Sequence, residues 1–249
     1  MAYVFVGLAN WAHLLNDDWF PQILLNTLYF TSMDIGIAFL VSLIFALLLN
    51  ERFRGKRILN VLLIIPWSVP AITSGLMWQW MLNGEYGIVN GILFQLGIID
   101  HFHVWLNEPD FAMYWVIFVQ VWKDVPFLVL LLYAALQTVP QQIYDAASID
   151  GANALQSFRH VTIPSVKLAI FVGLLMQTIS SFKVFDIIFK LTGGGPFNTT
   201  KVLYYYVYEE GFVGFRFGYA TVLSYVVFLV VLVLTIAYLK AFSPSPEIK

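Results

Sequence analysis

The sequence predicts an all-α protein, a polytopic bundle of helices that crosses a membrane several times. Three observations lead there. Hydrophobic residues make up 60% of the 249 and charged residues only 11%, with a mean hydropathy of +0.79, whereas soluble chains average about 45–50% apolar and about 25% charged. Five runs of about 20 mainly apolar residues, the length a spanning helix needs, fall at roughly 24–49, 58–80, 110–138, 167–190 and 217–240. The polar connections between these runs carry lysine and arginine unequally on alternate sides, as membrane topology requires.

The opening residues, "MAYVFVGLANWAHLLNDDWF", lack the basic start and the longer apolar core of a cleaved leader, so 1–23 read as an extracytoplasmic segment. Asp34 in the first run reads as a buried polar contact. Pro66 and Pro70 in "IIPWSVPAI" are four apart and should bend the second run as a pair. In the third run, "FAMYWVIFVQVWKDVPFLVLLLYAAL", Lys123 and Asp124 have twelve residues on either side, where each charge costs about 2.5–3.5 kcal/mol to insert. Neighbours on a helix point about 100° apart, so the two do not face each other. Pro126 removes a helical hydrogen bond and is expected to break this run. Two readings stay open: a pathway in which Gln120, Trp122, Lys123 and Asp124 meet a solute, or pairing between helices without solute contact. Lys183 and Asp186, three apart in the fourth run, can pair with each other. "TGGGPFNTT" reads as an external turn, because a phosphate cradle needs its amides at a helix start beside a cation. The aromatic stretch after it, with Tyr204, Tyr205, Tyr206 and Tyr208, suits a membrane-interface belt or a partner surface.

With residue 1 outside, the inner connections hold Arg52, Arg54, Lys56, Arg57, Arg159, Lys167, Lys240 and Lys249, and the outer ones hold Lys190, Lys201 and Arg216. Residues 81–109, without lysine or arginine, then lie outside. The polar stretch 140–164 lies in the cytoplasm, and 241–249 form a cytoplasmic tail.

That polar stretch, with "YDAASIDGANALQSFRHVTIP" at its heart, reads as a short helix after Pro140, with Pro164 stopping anything that continues from Val161. Ala147, Gly151 and Ala154 at i, i+4 and i+7 would form one small-residue helix face. Gly151 costs roughly 1 kcal/mol inside a helix, so it either serves close approach or ends a helix as a cap. The segment is a connector or a docking helix for a cytoplasmic partner.

Here the chain resembles a known family. Asp145, Ala146, Ala147, Gly151, Val161, Ile163 and Pro164 match the spacing of the EAA motif of binding-protein-dependent ABC importer permeases, E-A-A-x-x-x-G, nine residues, then I-x-L-P, with Asp for Glu, Val for Ile and Ile for Leu. "FVGLANW", "NTLYFT", "GGGPFNTT" and "FGYATVLSYVVF" are similar to the carbohydrate-uptake branch, and the likeness covers nearly the whole chain. The resemblance implies the type I importer permease fold, with 24–240 as the transmembrane domain, and alternating access coupled to a separate ATPase. Asp145, Ala146, Ala147, Gly151, Ala154 and Pro164 would then couple to that ATPase. It further implies a second, non-identical permease subunit, an extracytoplasmic solute-binding protein, and the cytoplasmic (inner) membrane of a prokaryote. The solute would be a sugar or glycoside-like compound. Relatives usually have six spans, so a further span is expected before "FVGLANW".

Other classes fit less well. A net charge of −2 without a basic stripe argues against nucleic acid. With no cysteine and with His13, His101, His103 and His160 scattered, no metal is expected. Gly55-Lys56 is the one Gly-Lys pair and lacks the glycine spacing of a phosphate loop. The chain is therefore expected to be no enzyme and to hold no cofactor, with ATP and Mg on the partner ATPase. The alternatives are an ABC permease for another small solute, or an ion-coupled secondary transporter suggested by Lys123, Asp124 and broken helices.

Overall fold

A computed structural model describes residues 5–51 and 53–242. Arg52, Lys249 and all but the first two residues of the expected tail 241–249 lie outside that range. Every regular element among the described residues is helical: α1 Ala9–Leu15, α2 Phe20–Asn50, α3 Lys56–Ser68, α4 Ala71–Met81, α5 Ile88–Gln95, α6 Pro109–Leu136, α7 Gln141–Ile149, α8 Ala154–Ser157, α9 Ile163–Ser165, α10 Lys167–Phe182, α11 Asp186–Leu191, α12 Leu203–Tyr208 and α13 Phe217–Phe242. Wider π turns follow α8 (Phe158–Thr162) and α12 (Glu209–Val213). Three helices, α2, α6 and α13, are each long and apolar enough to cross a membrane, and the count reaches five if the interrupted pairs α3/α4 and α8–α10 each make one span.

Three expectations about the runs are corrected. The second run does bend where the prolines were expected to bend it, but as two separate helices, because Val69 (φ −80, ψ 128) and Pro70 (φ −55, ψ 142) are extended. At 1.5 Å per residue the thirteen residues of α3 reach about 20 Å, short of the roughly 30 Å hydrocarbon core. Pro66 sits inside α3 without ending it, so Pro70 alone marks the break. Pro126, expected to break the third run, lies within a continuous α6. The hydroxyl of Ser42 donates to the Val125 carbonyl at 3.1 Å, tying α2 to α6 beside the proline. The fourth run ends at Phe182, and Phe185 (φ −136, ψ −58) separates it from α11. That break removes the helical i, i+3 spacing, and Lys183 and Asp186 are both exposed and form no ion pair.

The chain divides into two compact units, one of residues up to Asp34, Pro70–Gln120 and Ile179–Leu232, the other of Ile35–Val69, Val121–Thr178 and residues from Val233. In the first, α11 lies close on α4: a Cβ added at Gly75 would stand 3.0 Å from the Cβ of Lys190, so the absent side chain permits the approach. The stretch 83–105 wraps around the fully buried Asn90. Its amide nitrogen donates to the carbonyls of Asn83 and His103, and its oxygen accepts from the His103 amide and the Trp105 indole. All the hydrogen-bonding capacity of this buried amide is thereby used.

The second unit has its own apolar core, Ala46 of α2, Leu132 and Leu136 of α6, and Val166 and Ile170 at the start of α10, with Phe39, Leu43, Tyr133, Leu174 and Phe242 packed around it. Thr178 and Tyr238 share a hydroxyl–hydroxyl bond of 3.1 Å that joins α10 to α13. Ala46 and Gly173 keep α2 and α10 slim where they meet α6; a Cβ on Gly173 would come within 3.2 Å of Leu131. Small residues at such crossings are how apolar helices gain van der Waals contact inside a membrane.

Candidate functional site

The segment 140–166 is built as two short helices around a tight turn. Pro140 at φ −63 precedes α7, where its missing N–H is no loss. At the other end the Ala152 amide donates to Ala147 O (2.9 Å) and the Gly151 amide to Ser148 O (3.1 Å), the bond pair of a Schellman cap. Gly151 stands at φ +80, a left-handed conformation in which a side chain is penalised. The turn then feeds α8 through a reciprocal capping box: Asn153 Oδ1 accepts from the Gln156 amide and Gln156 Oε1 from the Asn153 amide, at 2.9 and 2.8 Å.

This geometry corrects the expected small-residue face. Ala147 belongs to α7, Gly151 is its cap and Ala154 begins α8, so the three do not share one helix surface. Pro164 also does not stop the helix. The chain widens into a π turn over Phe158–Thr162, continues through Ile163–Ser165, and bends by 70° before Lys167. A π turn directly before proline fits the loss of the proline N–H, which leaves the preceding ladder one donor short.

Asp145, Ala146, Gly151, Ala154 and Pro164 are exposed, Ala147 is half-buried, and α7 buries none of its residues. Two large apolar side chains flank the turn, Ile149 at 86% and Leu155 at 73% exposure. Sequence reasoning missed both; their signal was an isolated large aliphatic on each side of a polar turn. The segment is tied down from behind, since Tyr144 OH and Thr162 Oγ1 are 3.1 Å apart and Gln137 Nε2 donates to Asn50 Oδ1 at 2.6 Å.

On α6, Gln120 is buried and Trp122, Lys123 and Asp124 are half-buried. Asp124 Oδ2 accepts a 2.9 Å hydrogen bond from Nε2 of the buried Gln177 on α10. A carboxylate at this depth thus has a charge-assisted partner on another helix. Gln177 escaped the sequence reading; an amide inside "FVGLLMQTIS" was its only signal.

The outer segments quoted for their likeness turn out to be each other's contacts. Asn26 of "NTLYFT" donates to the carbonyls of Asn198 and Lys201 at 2.8 and 3.1 Å, and Thr27 Oγ1 accepts from the Leu203 amide at 2.8 Å. "TGGGPFNTT" therefore folds as a closed turn, with the Thr192 and Thr200 hydroxyls 2.7 Å apart. Asn10 of "FVGLANW" lies against Gly218, where a Cβ would meet its Nδ2 at 2.7 Å, and the His13 ring packs edge-on against Tyr219 at 4.5 Å. Among the described residues no group of three acidic or histidine side chains could hold a metal.

Tyr205 and Tyr206 are buried, so they serve neither as an interface belt nor as a partner surface. Tyr206 OH donates to Asp17 Oδ2 at 2.6 Å, and Tyr219 OH donates to the same oxygen. Burial pushes the Asp17 carboxyl up, but the two phenols and the amides of Trp19 and Phe20 outweigh it and hold the group below its ordinary value. Burial, then the Asp17 carboxylate, push the Tyr206 phenol far above its usual range.

The family profile described as binding-protein-dependent transport system inner membrane component matches residues 38–245. The trehalose/maltose transport system permease protein MalF of Thermococcus litoralis is 39% identical over 95% of this chain and 79% of its own length. The sulfoquinovosyl glycerol transport system permease protein SmoG of Agrobacterium fabrum is 33% identical over 95% of this chain and 76% of its own. In the crystal structure of a bacterial ABC transporter involved in the import of the acidic polysaccharide alginate, one chain superposes with a TM-score of 0.85 at 22% identity, covering 96% of this chain and 84% of that one. The helical bundle and these matches converge: the chain belongs to the binding-protein-dependent transport system inner membrane component family, the permeases of ABC importers.

Proposed function

We propose that this permease carries a sugar or glycoside-like solute inward across the cytoplasmic membrane of a prokaryote. It works with separate ATPase subunits, which supply ATP and Mg, with a second, non-identical permease, and with an extracytoplasmic binding protein. Residues 24–240 form the transmembrane domain on this reading. The observation that carries it is the exposed α7, turn and α8: a nine-residue helix that buries nothing in its own chain, capped at its end, with Ile149 and Leu155 exposed beside Asp145, Ala146, Ala147, Gly151 and Ala154. Such an apolar pair beside a rigid turn suits a protein cleft better than water. Pro164 closes the segment below the bend.

Support for the solute class comes from the relatives. The proteins resembling this chain are named for trehalose/maltose, sulfoquinovosyl glycerol and, in Yersinia enterocolitica, sn-glycerol-3-phosphate, all rich in hydroxyl groups. Asp124 and Gln177, with Gln120, Trp122 and Lys123 nearby in sequence, supply hydrogen-bonding groups within the apolar spans for such a cargo. A neighbour in fold was solved as a bacterial alginate ABC transporter in complex with alginate pentasaccharide-bound periplasmic protein, which supports a binding-protein partner. The test is purification of the native assembly, identification of its chains and bound solute, and reconstitution into vesicles. ATP-dependent uptake of a sugar that requires all partners is expected; uptake driven by an ion gradient without ATPase subunits would overturn the reading.

A further inference from the structure

Behind the coupling segment, the second unit holds a cavity of about 480 Å³ lined by Leu47, Asn50, Glu51, Leu136, Gln141, Tyr144 and Thr162. Its size falls within the roughly 300–1,000 Å³ of small-molecule sites. The walls come from three places: the end of α2, the end of α6, and α7 with the π turn beside it. We infer that this cavity binds a neutral, polyhydroxylated small molecule on the cytoplasmic side.

The chemistry of the lining selects that class. Two amides, a carboxylate, a phenol and a threonine hydroxyl offer donors and acceptors around an aliphatic floor of Leu47 and Leu136, and the Tyr144 ring adds an aromatic edge. Hydroxyl-rich molecules present alternating donors and acceptors above C–H faces, which this array matches. Among the described lining residues the one charged group is the Glu51 carboxylate, which disfavours an anionic ligand beside it. One carboxylate alone is too few ligands for a divalent cation, which takes six or more oxygens. Asn50 Oδ1 accepts from Gln137 and Gln141 Nε2 donates to Asp145; those bonds use one end of each amide, and the Asn50 nitrogen and the Gln141 oxygen are the ends a ligand would engage.

A ligand there would bridge the end of α2 and α7, both of which line the cavity. It would thus brace the coupling segment, whatever solute the transporter carries. The binding itself does not rest on the proposed cargo.

Hydrogen–deuterium exchange of the intact transporter in nanodiscs, without binding protein, tests it with glucose as probe. Glucose should slow exchange in peptides covering 47–51 and 141–151. In a Glu51→Ala/Gln141→Ala double variant, at two exposed positions, the glucose concentration needed should rise about tenfold, as expected from losing two hydrogen bonds. Absence of protection would overturn the inference. So would protection confined to peptides around Asp124 and Gln177, protection unchanged in the double variant, or stronger protection by glucose 6-phosphate than by glucose.

Discussion

Replacing Gly151 separates two explanations for a glycine in the coupling turn. At φ +80 an L residue carries a backbone penalty of about 1–2 kcal/mol, and asparagine, which tolerates the left-handed region, carries less. Among the described residues nothing lies within 4 Å of a Cβ added there, so no clash with them contributes. If the Schellman cap is what the ATPase subunit recognises, Gly151→Ala should lower its affinity by the fivefold to thirtyfold that 1–2 kcal/mol represents. Gly151→Leu should do about the same, and Gly151→Asn should retain most of the affinity. If instead the glycine makes room inside a partner cleft, the order follows size: alanine mild, asparagine and leucine severe, with overpacking of about 1–3 kcal/mol for the larger side chains. The assay is a titration of permease with fluorescently labelled ATPase subunit, alongside ATP hydrolysed per solute imported. Leucine far worse than alanine, with asparagine as damaging as leucine, would refute the conformational argument.

Three further outcomes follow from the geometry. The depressed Asp17 carboxyl stabilises the fold fully above the ordinary carboxylate value near about 4, and that contribution is lost as pH falls through its lower folded value. Thermal melts from pH 6 downward should therefore lose stability more steeply for the native protein than for Asp17→Asn; parallel curves would remove Asp17 from the account. Asp124→Asn and Lys123→Met should alter uptake kinetics while leaving assembly intact, and Gln177→Leu should match Asp124→Asn because both weaken one bond; unchanged kinetics in all three would take these residues out of the pathway. Asn90→Ala should destabilise by about 2–4 kcal/mol, since it strands several buried partners at once, and should speed amide exchange in 83–105 before other regions; uniform exchange would refute the hub role.

The helical class and the number of apolar runs were legible, because both depend on composition summed over some twenty residues. Breaks were less so. Pro126 signals an interruption that α6 does not show, because one missing donor does not end a helix whose remaining turns are apolar and packed. The break at Lys183–Phe185 carries no glycine or proline and left no sequence mark. At the turn around Gly151, spacing implied the wrong geometry: i, i+4, i+7 gives one face only if the helix continues, and Gly151 ends it. Asp124 was visible as a costly charge, whereas its partner Gln177, 53 residues away, depended on tertiary packing.

Coupling needs stiffness at both ends of the moving part. A nine-residue helix is marginal alone, so α7 can transmit a push only if its ends are fixed by something other than helix propensity. The Schellman cap fixes the end that would meet the ATPase on the proposed reading, and Pro140 limits the chain where α6 hands over to α7. Between them, among the described residues, the Tyr144–Thr162 bond ties α7 to the π turn, and just before Pro140 the Gln137–Asn50 bond ties the end of α6 to α2. The polar cavity lies among these same groups. If the proposed coupling role holds, a segment held rigidly at its tips and loosely along its back would pass axial displacement to α6 while remaining open to adjustment from the side, and a ligand in the cavity would act on that second, softer direction.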